Sequence, residues 1–285
     1  RLHSFPTRRS SDLLFLAMEL IYAIWIARRE EVDVLHTHWI VPQGLTGAVC
    51  GRLLHLPHIL SVHGTDVNIA AKNRIFGWVT KFVTRNCDRI LTNSTYTRKI
   101  ILSIDPSVEE RVEVIPMGVD VKRFQNTPSD NPIDKSQVPS VLYIGRLIDC
   151  KGLEYLIEAF AIVSCKAPGA KLIIGGEGPE EARLRQQVKH LGLDESILFA
   201  GLIESQDLSR YYREAAVFVL PSVQAEGQTE GLGVVLLEAM ACGTPVIGSN
   251  VGGIPDIIQD GWNGYLVQER SPEVLAIKIL ELIHD

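Results

Sequence analysis

The chain has 285 residues, 46% of them hydrophobic and 22% charged, a globular composition of a length that favours two domains and excludes a disordered chain. The net charge of −6 is unevenly spread: residues 1–135 carry 17 Lys and Arg against 14 Asp and Glu, and the remainder 11 against 20. So acidic a second half excludes general nucleic-acid binding, which needs a basic footprint.

Residues 1–12 (RLHSFPTRRSSD) show no apolar period and lead into no strand. They resemble adapter-derived read-through and are set aside as a non-native tail. The run Leu13–Ala27 follows Arg8 and Arg9 as in a signal peptide. It contains Glu19, lacks a small-residue cleavage site and is too short to span a bilayer. Leu14–Glu30 therefore reads as a helix, either buried or lying against a membrane. Strands and helices then alternate: strand Val32–His36, helix Pro42–Leu54, strand His58–Val62, helix Asn73–Asn86, strand Arg89–Thr92, helix Thr95–Ile104 and strand Val112–Ile115. This rhythm predicts a parallel sheet covered by helices.

Phe124–Pro139 (FQNTPSDNPIDKSQVP) breaks the rhythm and reads as a linker. The predicted domains are thus 13–135 and 136–285. The second restarts with strand Ser140–Ile144, helix Gly152–Lys166, strand Lys171–Gly175, helix Glu180–Leu191, strand Ile197–Ala200, helix Ser205–Glu214, strand Val217–Pro221, helix Gly233–Cys242, strand Pro245–Ser249 and helix Pro272–His284. That order predicts a doubly wound α/β domain. Five cysteines, none spaced as CxxC, suggest neither a disulfide framework nor a zinc site and fit a reducing cytosol.

Ligands of open parallel sheets bind beyond the carboxyl ends of the strands. After Ile144 come Gly145-Arg146-Leu147 and then Lys151-Gly152 at the start of a helix. Two cations near a helix N-terminus suit a diphosphate, whose charge builds as a bond to it breaks; a solvated turn is the even alternative. Gly176-Glu177-Gly178 carries two glycines of a dinucleotide fingerprint, but Glu181 stands in the third place and the fingerprint fails. The most informative stretch is Pro221–Pro245, PSVQAEGQTEGLGVVLLEAMACGTP. Glu230 precedes the glycines and Glu238 lies on the helix they open, which rises roughly 7.5 Å from Gly233 to Glu238. Two carboxylates so spaced suit hydroxyls of a hexose and a ribose. Gly231, Leu232 and Gly233 would offer backbone N–H groups. The helix is apolar nearly all round, so it should be buried, and a buried Glu238 needs a partner. In the first domain, His63 ends the strand Ile59–Val62 and would donate to a sugar hydroxyl or leaving phosphate. His36 and His38 read more readily as satisfied histidines near the core. No Asp-x-Asp and no metal-ligand spacing occurs, so no metal is predicted.

Taken together, HTHWIVPQGLTG (36–47), SVHGTD (61–66), VIPMGVDVKRF (114–124), YIGRLIDCKGLEYLIEAF (143–160), IIGGEGP (173–179) and EGLGVVLLEAMACGTPVI (230–247) resemble family 4 of the glycosyltransferases, retaining enzymes of the GT-B fold. The Glu-x7-Glu pair at Glu230 and Glu238 is the specific element. The resemblance implies an α/β GT-B chain, with two Rossmann-like doubly wound parallel-sheet domains facing across a cleft. It implies a hexosyltransferase taking a nucleoside-diphosphate-sugar as substrate, with no cofactor and no metal. Arg146 and Lys151 would bind the diphosphate, Glu230 the sugar and Glu238 the ribose. His63 would lie beside the transferred sugar. The catalytic candidates are thus His63, Arg146, Lys151 and Glu230; Gly145, Gly231, Leu232, Gly233 and Glu238 would bind substrate. The diphosphate oxygen would take the acceptor's proton. Against the family's pattern the chain reads as truncated at both ends, without the first strand, its glycine-rich loop and the last crossing helix. The expected setting is cytoplasmic, with an unknown acceptor, no nucleic acid and a peripheral membrane contact through the first domain. Competing readings are a nucleotide-sugar epimerase or phosphorylase of the same fold, or a nucleotide-sugar-binding protein without catalysis; a phosphorylase would want a pyridoxal-bearing lysine, and none is evident.

Overall fold

A computed structural model of the chain describes residues 9–125, 139–225 and 228–284. Most of the expected tail and most of the linker therefore lie outside the described residues. The chain divides into two compact units, Arg1–Ile115 and Pro116–Asp285.

The first unit holds helix α1 (Arg9–Arg29), strand β1 (Leu35–His38), a π-helical turn Ile40–Gly44, α2 (Leu45–Leu54), β2 (His58–Val62), α3 (Thr65–Lys72), α4 (Arg74–Arg85), β3 (Arg89–Thr92), α5 (Thr95–Ile104) and β4 (Val112–Val114). Its sheet is parallel, in the order β1-β2-β3-β4. Leu60, Val62, Val83, Ile90 and Ile101 form its core. Burying each such side chain contributes about 1.5–3 kcal/mol.

Three differences from the sequence expectation have local causes. α1 begins at Arg9, inside the segment set aside as a tail. β1 starts later than Val32 because its register opposes Leu35 to His58 and His38 to Ser61, so the ladder begins only where β2 begins. His38, beyond the expected strand end at His36, thus lies within β1. The third difference is α3, which the apolar pattern did not reveal. Gly64, at φ 102°, turns the chain directly from β2 into it. Asn73 then closes α3 and caps α4, its side chain accepting from the N–H groups of Ile75 and Phe76.

The second unit holds α6 (Val121–Gln125), β5 (Ser140–Ile144), a 3-10 turn Asp149–Lys151, α7 (Leu153–Lys166), β6 (Lys171–Gly175), α8 (Glu181–His190), β7 (Ile197–Gly201), α9 (Leu208–Glu214), β8 (Val217–Leu220), α10 (Val234–Ala241), β9 (Val246–Ser249), β10 (Tyr265–Val267) and α11 (Pro272–His284). α6 groups with this unit because Phe124 is buried in its core. The sheet is parallel in the order β10-β9-β8-β5-β6-β7. Counted within the unit, that is the order 6-5-4-1-2-3 of a doubly wound dinucleotide-type fold. All four residues of β8 are buried, as expected of a parallel strand covered on both faces. β10, three residues paired to β9, is too short for any period to announce it. α10 is half-buried rather than buried all round; only Leu236 and Ala239 are fully enclosed. Among the described residues no helix is long and apolar enough to cross a membrane.

Candidate functional site

The strand order of the second sheet reverses between β5 and β8, which are hydrogen-bonded neighbours. Ligands of such sheets enter at this point, beyond the carboxyl ends. The loops leaving these two strands touch through their backbones. The Val223 N–H donates to the Cys150 carbonyl at 2.9 Å. Gly152, at φ 63°, lies so close to the Pro221 carbonyl that a Cβ there would come within 2.1 Å of its oxygen. Only glycine fits both conditions.

Lys151 and Glu230 meet in this place, the ammonium donating to Glu230 Oε2. The Ser222 hydroxyl donates to the same oxygen at 3.3 Å. The two charged side chains are only 17% and 13% exposed, so their attraction is weakly screened. The backbone of Glu230 is held by the loop after β9. Its carbonyl accepts from the Gly253 N–H at 3.1 Å, and a Cβ on Gly252 (φ 57°) would fall 2.0 Å from it.

Arg146 follows β5 with its side chain exposed. Its carbonyl accepts from the hydroxyl of buried Tyr143 at 3.0 Å, which fixes the turn at Gly145. Burial, reinforced by the Glu230 charge, pushes the Tyr143 phenol well up, so it stays a donor. Gly233, at φ 94°, opens α10, and no side chain caps the helix there. The Leu236 N–H turns back to the Gly233 carbonyl at 2.9 Å, which leaves the N–H groups ahead of it for an anion or hydroxyl. Leu232 is buried, so only its backbone can serve a ligand. Glu238 has a protein partner: the Tyr212 hydroxyl donates to Glu238 Oε2 at 2.7 Å. The four sequence-predicted charged groups therefore separate into a joined pair, Lys151 with Glu230, an exposed Arg146, and Glu238 tied to a tyrosine.

In the first unit, His63 directly follows β2. Its backbone N–H donates to Asp66 Oδ1 at 3.2 Å, and Asp66 Oδ2 accepts from the Ile40 N–H at 3.2 Å. The ring is hydrogen-bonded through Nε2 to His38 Nδ1 at 3.0 Å and stacks on it with centroids 5.2 Å apart. His38 in turn lies 4.6 Å from the ring of His36, whose Nε2 bonds Ser61 Oγ at 2.8 Å. Burial holds His63 below the usual histidine range; Asp66 opposes the shift, and His38 and His36 add to it. His36 is also lowered, by burial and then by His38. His36 and His38 are hydrogen-bonded, as the reading of satisfied histidines expected, but both are exposed rather than near the core, and that reading did not include their contact with His63. The signal was present, because β1 ends in His38 and its parallel neighbour β2 is followed directly by His63, which brings those rings together. Ser222, Tyr143 and Tyr212 were missed as well. Ser222 directly follows the β8–Pro221 end, but the tyrosines act from positions that read only as core.

Among the described residues no group of three His, Cys, Asp or Glu is arranged to hold a metal ion.

The glycosyl transferases group 1 family model matches residues 126–285, and the glycosyltransferase family 4 model matches residues 1–123. The chain belongs to the glycosyl transferases group 1 family. It is 33% identical to an uncharacterized glycosyltransferase of Methanocaldococcus jannaschii over 91% of this chain and 68% of the relative. It is 27% identical to N-acetyl-alpha-D-glucosaminyl L-malate synthase of Bacillus anthracis, over 91% of this chain and 68% of that protein. Among solved structures, Anabaena HepE in complex with UDP superimposes with a TM-score of 0.81 at 23% identity, covering 93% of this chain and 72% of that one. Sucrose-phosphate synthase from Thermosynechococcus elongatus gives 0.76 at 26% identity, covering 100% and 73%. The glycosyltransferase has the α/β architecture of the GT-B class, two parallel sheets each flanked by helices.

Proposed function

We propose that this glycosyltransferase binds a nucleoside-diphosphate-sugar in its second unit and transfers the sugar to an acceptor with retention of configuration. The observation that carries the reading is the Lys151–Glu230 pair, with Ser222, at the strand-order reversal. A cation held beside an acceptor carboxylate, next to an uncapped helix start, suits an anionic leaving group attached to a hydroxylated ring. Arg146 and Lys151 neutralise the diphosphate, and Glu230 accepts from sugar hydroxyls through the oxygen not held by Lys151. Gly145, Gly231, Leu232 and Gly233 contribute backbone, and Glu238 takes the ribose. The bond from the sugar's anomeric carbon to the diphosphate oxygen breaks while the bond to the acceptor oxygen forms on the same face. The acceptor's proton passes to the departing diphosphate oxygen, so no separate base and no metal is required.

The structural relative in complex with UDP and a mycobacterial relative named as GDP-mannose-dependent support UDP- and GDP-sugars as the first donors to screen. The anomeric configuration of the product, read by proton NMR, tests the mechanism: retention is expected, and inversion overturns it. Release of free epimerised donor without acceptor would favour the epimerase reading instead.

We also propose a peripheral contact between the first unit and an anionic lipid surface on the cytosolic side. Residues 67–87 carry Lys72, Arg74, Lys81 and Arg85 and no Asp or Glu, with Arg85 paired to Asp105 at 2.7 Å. Ile75 and Trp78 on α4 stand 75% and 71% exposed among these cations. A basic face with protruding aromatic and aliphatic side chains complements anionic headgroups.

A further inference from the structure

Tyr212 lies on α9 with its side chain fully buried. Its ring makes edge contacts with Phe124 and Phe218, at centroid separations of 6.1 and 5.4 Å. Its carbonyl accepts from the Thr244 hydroxyl at 2.5 Å. Ring and backbone are therefore both fixed, and the hydroxyl points to one acceptor, Glu238 Oε2, at 2.7 Å. Burial and the Glu238 charge push the phenol's pKa far up, so this hydroxyl stays protonated and donates.

Glu238 occupies the second turn of α10 and is itself half-buried. Left to itself, a glutamate there samples several rotamers, and a ligand must freeze one of them. With Oε2 taken by a rigid donor, the carboxylate plane is set before any ligand arrives, and among the described residues no donor reaches Oε1. We propose that Tyr212 is a positioning residue for the nucleotide's ribose: it holds Glu238 so that Oε1 is offered, already oriented, to the vicinal ribose hydroxyls. The proposal rests on the reading of the second unit as the nucleotide-sugar site and adds a residue that acts only through Glu238.

A purely structural tyrosine would affect folding but not the discrimination between ribose and its deoxygenated analogue. Calorimetric titration of the full chain with UDP, GDP and ADP, and with their 2′,3′-dideoxy forms, reads that discrimination directly. The variants are Tyr212→Phe, Glu238→Gln and the double variant, with melting curves recorded for each. Replacement of Tyr212 by 3-fluorotyrosine keeps the packing and the donor, and serves where Phe at this position unfolds the chain. The preference for ribose should fall about tenfold in Tyr212→Phe, the scale of one hydrogen bond to a charged acceptor. It should fall no further in the double variant than in Glu238→Gln, and it should persist with fluorotyrosine. If Glu238→Gln abolishes the preference while Tyr212→Phe leaves it intact, the positioning role is overturned and the ribose role of Glu238 stands. An unchanged preference in Glu238→Gln overturns both roles. Loss of the preference with fluorotyrosine in a folded chain also overturns the positioning role, and failure of every nucleotide to bind overturns the donor-site reading itself.

Discussion

The ammonium of Lys151 donates to the carboxylate of Glu230 across 79 positions of sequence, joining the loop after β5 to the loop after β8. Removing one partner of a poorly solvated pair leaves the other charge uncompensated. Lys151→Met and Glu230→Gln should each destabilise the chain by about 1–3 kcal/mol in urea unfolding. The double variant should recover part of that stability. Transfer should not recover, staying about a hundredfold or more below the parent, because the proposed function puts the diphosphate and sugar contacts on these two side chains. Recovery of transfer together with stability would show that the pair is only a structural tie.

Gly252→Ala tests how firmly Glu230 must be placed. A Cβ there would meet the Glu230 carbonyl at 2.0 Å, in a left-handed backbone conformation. The variant should lose about 1–3 kcal/mol and bind nucleotide-sugar more weakly. Gly192→Ala is the control: its φ is +66° with nothing within 4 Å of the added carbon. It should lose about 1–2 kcal/mol and leave donor affinity unchanged, as titration calorimetry would show.

His58 and His63 are both held below the usual histidine range, each chiefly by burial. In the unfolded chain such rings gain protons as the pH falls through about 6.5, while in the folded unit they resist. The unfolded state then binds more protons, so stability is full above that pH and declines as the pH falls toward the folded values. Urea midpoints between pH 8 and pH 5 should show this slope, and His63→Asn should flatten it. An identical slope in the variant would remove His63 from the account.

Sedimentation with vesicles tests the lipid contact. Binding to phosphatidylglycerol vesicles should exceed binding to phosphatidylcholine, weaken with salt, and drop in Trp78→Ala and in the Lys72→Glu/Lys81→Glu variant. Equal binding to both lipids would set the proposal aside.

Much of this molecule is legible from residues alone. β2, β3, α5, β5, β6 and α11 fall where the apolar runs and their punctuation put them. Glu230 and Lys151 are recognisable because each is a charged residue beside the glycine that opens a helix, Lys151 just before Gly152 and Glu230 just before Gly231-Leu232-Gly233. What escaped is set by pairing or by side-chain geometry. β1 is bounded by its neighbour's register, α3 by a glycine dihedral, and β10 is too brief to show a period. The Tyr212–Glu238 bond escaped for another reason: a tyrosine surrounded by Phe124 and Phe218 reads as core, and its one polar atom becomes visible only when its acceptor is seen.

Gly152 lies against the Pro221 carbonyl, and the Val223 N–H reaches the Cys150 carbonyl. The two loops are thereby coupled: neither can shift without dragging the other along. Divergence in donor choice within such a frame should come from exchanged side chains, with the main chain kept as a shared, nearly invariant template.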